Sequence, residues 1–86
     1  MNWIYPAVIE ELKKKCHAFL RKEISVTEIQ SHIYEAEQKI VALDEKWLRE
    51  LLFNAENEIE LSLYTLDSDQ VFPKVKIIIE EILGKI

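Results

Sequence analysis

One glycine and two prolines in 86 residues leave this chain few ways to turn. An all-β domain needs a turn every 8–12 residues or so, and Gly84, Pro6 and Pro73 cannot supply them. The same chain is 49% apolar, enough to build a core. A few helices joined by short links satisfy both facts. The expectation is an all-α fold: a small antiparallel four-helix bundle, with residues 1–86 as one domain.

Periodicity places the helices. Pro6 suits a first turn, where its missing N–H costs nothing. Val8 or Ile9, Leu12, Cys16, Phe19 and Leu20 then recur at helical steps, predicting a first helix over about residues 6–22 with Trp3 and Ile4 folded back as a lid. Ser25 followed by Glu28 forms a capping box, each side chain satisfying the other's free backbone N–H. Val26, Ile29, Ile33, Ala36 and Ile40 continue as a narrow seam on a second helix. The link between these two helices is so short that they are expected to pack as an antiparallel hairpin.

Asp44 is the expected N-cap of a third helix, with Glu45 in its first turn and Trp47 or Leu48, Leu51, Leu52, Ala55 and Ile59 along its stripe. Glu58 to Leu63 alternates polar and apolar residues, so the helix is expected to fray into an extended tail near residues 60–63. Asp67 to Gln70 reads as a loop or cap. Pro73 is expected to start the last helix near Phe72, and Gly84 to stop it.

Charge is distributed unevenly. Residues 1–22 carry a local +3, residues 23–70 carry twelve acids against Lys39, Lys46 and Arg49, and the whole chain has a net charge of −5. A negative surface repels nucleic acid and hastens encounter with basic proteins. Nucleic-acid and membrane partners are therefore not expected. With no signal-like leader in the sequence, the expected location is cytoplasmic.

Enzymatic chemistry has little to build on, and no catalytic, cofactor or metal residues are assigned. Cys16 falls on an apolar stripe, where a thiol is a small hydrophobe, and adjacent His17 points elsewhere. His32, Glu35 and Glu37 lack the second matching helix that carboxylate metal bundles use, so they read as a solvated face. Lys13, Lys14 and Lys15 read as a solvated face balanced by Glu10 and Glu11. A single glycine excludes a glycine-rich phosphate loop.

The segment NAENEIELSLYTLDSDQ (54–70) stands apart. Glu56, Glu58, Glu60, Asp67 and Asp69 have no Lys or Arg between Arg49 and Lys74, and Tyr64 lies among them. Unneutralised acids around an amphipathic tyrosine suit a hot spot for a basic partner. Charge and periodicity alone leave a solvated face and a docking surface equally open.

Three stretches carry a resemblance. FLRKEISVTEIQSHI (19–33) resembles the hairpin opening of the colicin D immunity protein family: a helix ends in a lysine-containing turn and a Ser/Thr-capped helix follows. LLFNAENEIE (51–60) is similar to its transition from leucine-rich to acidic sequence. LDSDQVFPKVKIIIEEIL (66–83) is similar to its acidic turn and terminal helix. The chain departs from the family in Pro73 and in Trp3 and Tyr5.

The resemblance implies a four-helix bundle that binds the nuclease domain of a cognate bacterial toxin and covers its basic active site. The colicin D toxin cleaves transfer RNA. Related immunity proteins accompany contact-dependent growth inhibition toxins, several of them RNases. Carried over, Glu56, Glu58 and Glu60 are the phosphate mimics and Asp67 and Asp69 the flank. Glu50 and Tyr64 complete the expected toxin-binding set, Tyr64 as anchor, on a monomer or weak dimer. The alternative is a small helical adaptor or dimerisation module acting through its apolar seams.

Overall fold

The computed structural model describes residues 3–86, which form four helices and no strand: α1 (Pro6–Leu20), α2 (Val26–Lys39), α3 (Lys46–Thr65) and α4 (Ser68–Lys85). A 3₁₀ turn, Leu43–Glu45, precedes α3. The all-α four-helix expectation therefore holds. One cluster joins the helices, with Ile9, Leu12, Cys16 and Phe19 from α1 meeting Ile29, Ile33 and Ala36 from α2. Leu48, Leu52, Ala55 and Ile59 from α3 and Val75, Ile78, Ile79 and Ile82 from α4 close it. None of the helices is long and apolar enough to cross a membrane.

The link between α1 and α2 is tighter than a glycine-free segment would suggest. Lys22 N–H donates to Phe19 C=O and Glu23 N–H to Ala18 C=O, both at 2.9 Å, the paired bonds of a Schellman stop. That motif needs a left-handed residue, and Lys22 supplies it at φ 63°. Its ammonium lies 5.0 Å from the centroid of Phe72, which itself packs 5.0 Å from Phe19. Tertiary contact thus holds a lysine where glycine is usual. Two residues on, the Ser25 box is complete: Glu28 N–H donates to Ser25 Oγ at 3.1 Å, and Ser25 N–H to Glu28 Oε1 at 3.2 Å.

Several boundaries differ from the sequence reading. Asp44 is exposed inside the 3₁₀ turn, and Glu45 rather than Asp44 occupies the N-cap position of α3. Buried Glu45 accepts the Ile4 N–H at 2.9 Å through Oε2, while its Oε1 has no partner among the described residues. This bond ties down the entry segment, where Trp3 stacks 6.0 Å from Trp47. Trp3 joins the core as the lid reading expects, but Ile4 is left exposed.

The end of α3 is a larger correction. No fraying occurs at 60–63, and the helix continues to Thr65. The alternation that suggested a strand came from leucines facing water, since Leu61 and Leu63 are exposed while Ser62 is buried. Ser62 satisfies its hydroxyl internally by donating to Glu58 C=O at 2.8 Å. Of the two readings of Asp67 to Gln70, loop or cap, the structure takes the cap. Asp67 caps α4 and its N–H donates to Gln70 Oε1 at 3.4 Å, so the helix begins five residues before Pro73. Gly84 lies within the last turn rather than ending it.

Candidate functional site

The seven expected partner-binding residues do not share one surface. On α3, Glu56 and Glu58 are two residues apart and so point about 200° from each other, whereas Glu60 returns to within about 40° of Glu56. Their contacts show the same division. Glu56 and Glu60 face α2, but Glu58 lines a groove on the other flank with Leu51, Ile78 and Glu81. Glu50 is exposed and lies 3.8 Å from Lys46, so it is partnered within the chain. Asp67 and Asp69 are exposed at the start of α4, where one caps and the other favours the helix dipole. Helix formation alone accounts for those two acids.

What remains is the edge where α2 meets α3. Gln30 Nε2 donates to Glu60 at 2.6 Å. Seven residues further along α2, Glu37 approaches Glu56, four residues earlier on α3. Glu37 is only 6% exposed, and its Oε2 has no hydrogen-bond partner among the described residues. The solvated-face reading of Glu37 is thus corrected: it sits beside seam residues Ile33, Ala36 and Ile40 and is carried into the interface with them. Two carboxyl groups attract only through a shared proton. Burial first, then the hydrogen bond and charge of Glu37, then the charge of Glu60, push the Glu56 carboxyl above its ordinary value.

Aromatic side chains border this acidic line. Tyr34 lies between Gln30 and Glu37 on α2 at helical spacing and is 50% exposed. Phe53, also 50% exposed, precedes Glu56 by three residues and lines a shallow depression with Glu37, Lys46, Arg49 and Glu50. Tyr64 follows Glu60 by four residues and is 81% exposed. From Phe53 to Tyr64 the stripe runs about 16 Å along the helix. Sequence reasoning missed Tyr34, Glu37 and Phe53. Their signal was present as a second stripe beside each apolar one, Gln30-Tyr34-Glu37-Val41 on α2 and Arg49-Phe53-Glu56-Glu60 on α3.

Other candidate groups are placed elsewhere. Cys16 is fully buried in the core, and desolvation pushes its thiol up to about 12, leaving no thiolate at neutral pH. His32 borders a cleft of about 40 Å³ with Glu11, Lys15, Glu35 and Lys39 rather than with Cys16. Among the described residues no three His, Cys, Asp or Glu side chains converge as a metal set. Lys13 and Lys15 lie 3.9 and 3.7 Å from Glu10 and Glu11, in keeping with a balanced surface.

Ion pairs among the described residues engage Glu10, Glu11, Glu23 and Glu50, and none engages Glu37, Glu56 or Glu60. Along the α2–α3 edge these three acids are thus without an ion-paired cation among the described residues, although Lys46 and Arg49 lie nearby, and exposed rings border them. Comparison with known proteins finds no match: no family model, curated protein or solved structure is significantly similar to the chain.

Proposed function

We propose that this chain binds a basic protein surface with its α2–α3 edge, and that the partner is the nuclease domain of a bacterial toxin, which it neutralises as an immunity protein. The observation that carries the reading is the unneutralised acid line Glu37, Glu56 and Glu60 between Tyr34, Phe53 and Tyr64. Aromatic rings at the centre of a charged edge combine apolar anchoring with fast electrostatic encounter. The nuclease rests on the resemblance to colicin D immunity proteins. A cleft that holds RNA must be positive, and a rigid helix bearing carboxylates competes for it without doing chemistry.

The adaptor alternative is less well supported. Ile29, Ile33, Ala36 and Ile40 of its would-be seam are 0–5% exposed, already engaged in the chain's own core. Using them on another protein would mean opening the bundle.

The test is calorimetric titration against the nuclease domain encoded beside the gene, at low and high salt. Reversing Glu56, Glu58 and Glu60 to lysine together should abolish tight binding and the protection of cells expressing the toxin. Affinity that survives this triple change in low salt would sink the reading, as would a neighbouring frame that encodes no toxin.

A further inference from the structure

We propose that Glu37 and Glu56 together receive a guanidinium side chain of the partner protein, set between the rings of Tyr34 and Phe53. This rests on the reading that the partner is a basic protein. It adds a residue, Glu37, that the acidic run of α3 does not contain, and it commits the pair to an arginine.

Glu37 Oε2 belongs to a side chain 94% removed from solvent, yet has no hydrogen-bond partner among the described residues. A buried carboxylate oxygen left unpaired costs stability, so its position calls for a group that the free chain does not supply. Glu56 opposes it from α3 and adds a second carboxyl. A planar cation with a fork of N–H donors can bridge two such groups, whereas an ammonium is a point charge. Tyr34 and Phe53, each half-exposed along the same edge, offer faces on which a guanidinium stacks. A bare metal ion suits the site less, because no third ligand converges there among the described residues.

The chain's own cations do not fill this role. Lys46 and Arg49 share the depression beside Glu37, but Lys46 pairs with Glu50 and no ion pair joins Arg49 to Glu37 or Glu56. The charged groups beside the pair are thus Glu60, Glu50, Lys46 and Arg49 from α3, while α2 adds the titratable Tyr34 and the neutral amide of Gln30, which donates to Glu60. Burial and the neighbouring Glu37 and Glu60 carboxyls make Glu56 hold its proton more readily than an isolated glutamate would. An entering guanidinium replaces that proton, which leaves to solvent, so binding strengthens as pH rises through the Glu56 titration.

The experiment follows the side-chain carboxyl carbons of the intact chain by NMR while N-acetyl-arginine amide is added, with the isosteric, uncharged N-acetyl-citrulline amide as control. The arginine probe should shift Glu37 and Glu56 saturably and lower the titration midpoint of Glu56. E37Q, which keeps the shape of the site, should weaken the response about tenfold, the loss of one charge-assisted contact. Equal responses to both probes, no saturable response, or shifts spread evenly over Glu58, Asp67 and Asp69 would overturn the proposal. So would an R49Q variant whose Glu56 midpoint rises without probe, since Arg49 would then be the resident cation. If the probe ignores the pair while charge reversal still weakens nuclease binding, this inference alone falls. If the probe binds but the nuclease does not, it is the immunity reading that falls.

Discussion

Glu37 of α2 and Glu56 of α3 meet across a helix interface, and among the described residues no cation is paired to either. In its protonated form, which burial and the neighbouring carboxyls favour, Glu56 donates to Glu37 and joins the two helices. Once Glu56 ionises, that bond is lost and the neighbouring carboxyls oppose its charge.

This contact makes stability depend on pH with a definite sign. The fold raises the Glu56 carboxyl, so its contribution is present below the unfolded value of 4.5 and is lost as pH rises through the folded one. In E37Q the amide donates to the Glu56 carboxylate in place of a proton. Urea unfolding should find E37Q more stable than the parent by about 1 kcal/mol at pH 7, with the gain vanishing below about pH 4. A gain that persists unchanged in acid would show that the pair is not the cause.

Lys22 and Phe72 should prove energetically coupled. Replacing Lys22 with glycine relieves a left-handed residue of about 1 kcal/mol. It also loses a cation–π contact of about 0.5–1 kcal/mol and adds freedom to the unfolded chain. K22G should therefore fall within about 0.5 kcal/mol of the parent, because these terms oppose one another. A double-mutant cycle with F72L isolates the contact, with an expected interaction of about 0.5–1 kcal/mol. A coupling of zero would mean that the turn alone holds Lys22 in place.

Most of the fold was legible because its signals are local. The Ser25–Glu28 box lies within four residues, and the Ile29-Ile33-Ala36-Ile40 seam follows one helix face into the core. The failures occurred where tertiary burial overrides local pattern. Ser62 points inward between two outward leucines, which inverts the usual apolar code over 61–63. Glu37 resembles any exposed helix acid until α3 is laid against it. Of the site, Glu56, Glu60 and Tyr64 stood out because the acidic run is contiguous in sequence. Tyr34, Glu37 and Phe53 belong to the edge only through the packing of α2 on α3.

Pro73 illustrates the same override. It is exposed at the sixth position of α4, where its ring excludes the hydrogen bond that Asp69 C=O would otherwise accept. The helix passes through because the cap at Asp67 precedes it and Val71 and Val75 are buried on either side. P73A restores the bond, worth about 3 kcal/mol, against about 0.4–1 kcal/mol of added freedom in the unfolded chain. The variant should gain about 2 kcal/mol and melt about 10 °C higher. Thermal unfolding followed by circular dichroism measures both. An unchanged melting point would mean that a helix bend already relieves the clash.

The aromatic border makes the sharpest division between a docking edge and a merely acidic face. Tyr34 and Phe53 lie beside the Glu37–Glu56 pair, whereas Tyr64 is a further two turns along α3 and 81% exposed. Hot spots occupy the centre of an interface, where surrounding contacts exclude water, and rings at the rim contribute little. Y34A and F53A should each cost about 2 kcal/mol or more in affinity for the nuclease domain, with Y64A below about 1 kcal/mol. L61A, exposed but off the stripe, should leave affinity unchanged. Because Tyr34 and Phe53 are only half-buried, their loss should disturb unfolding far less than truncation of Leu52, which costs about 2–5 kcal/mol as a core change. If the acids act as a diffuse field instead, all three aromatic variants will bind alike and only salt will weaken the complex. Calorimetry of the four variants at two salt concentrations separates these outcomes.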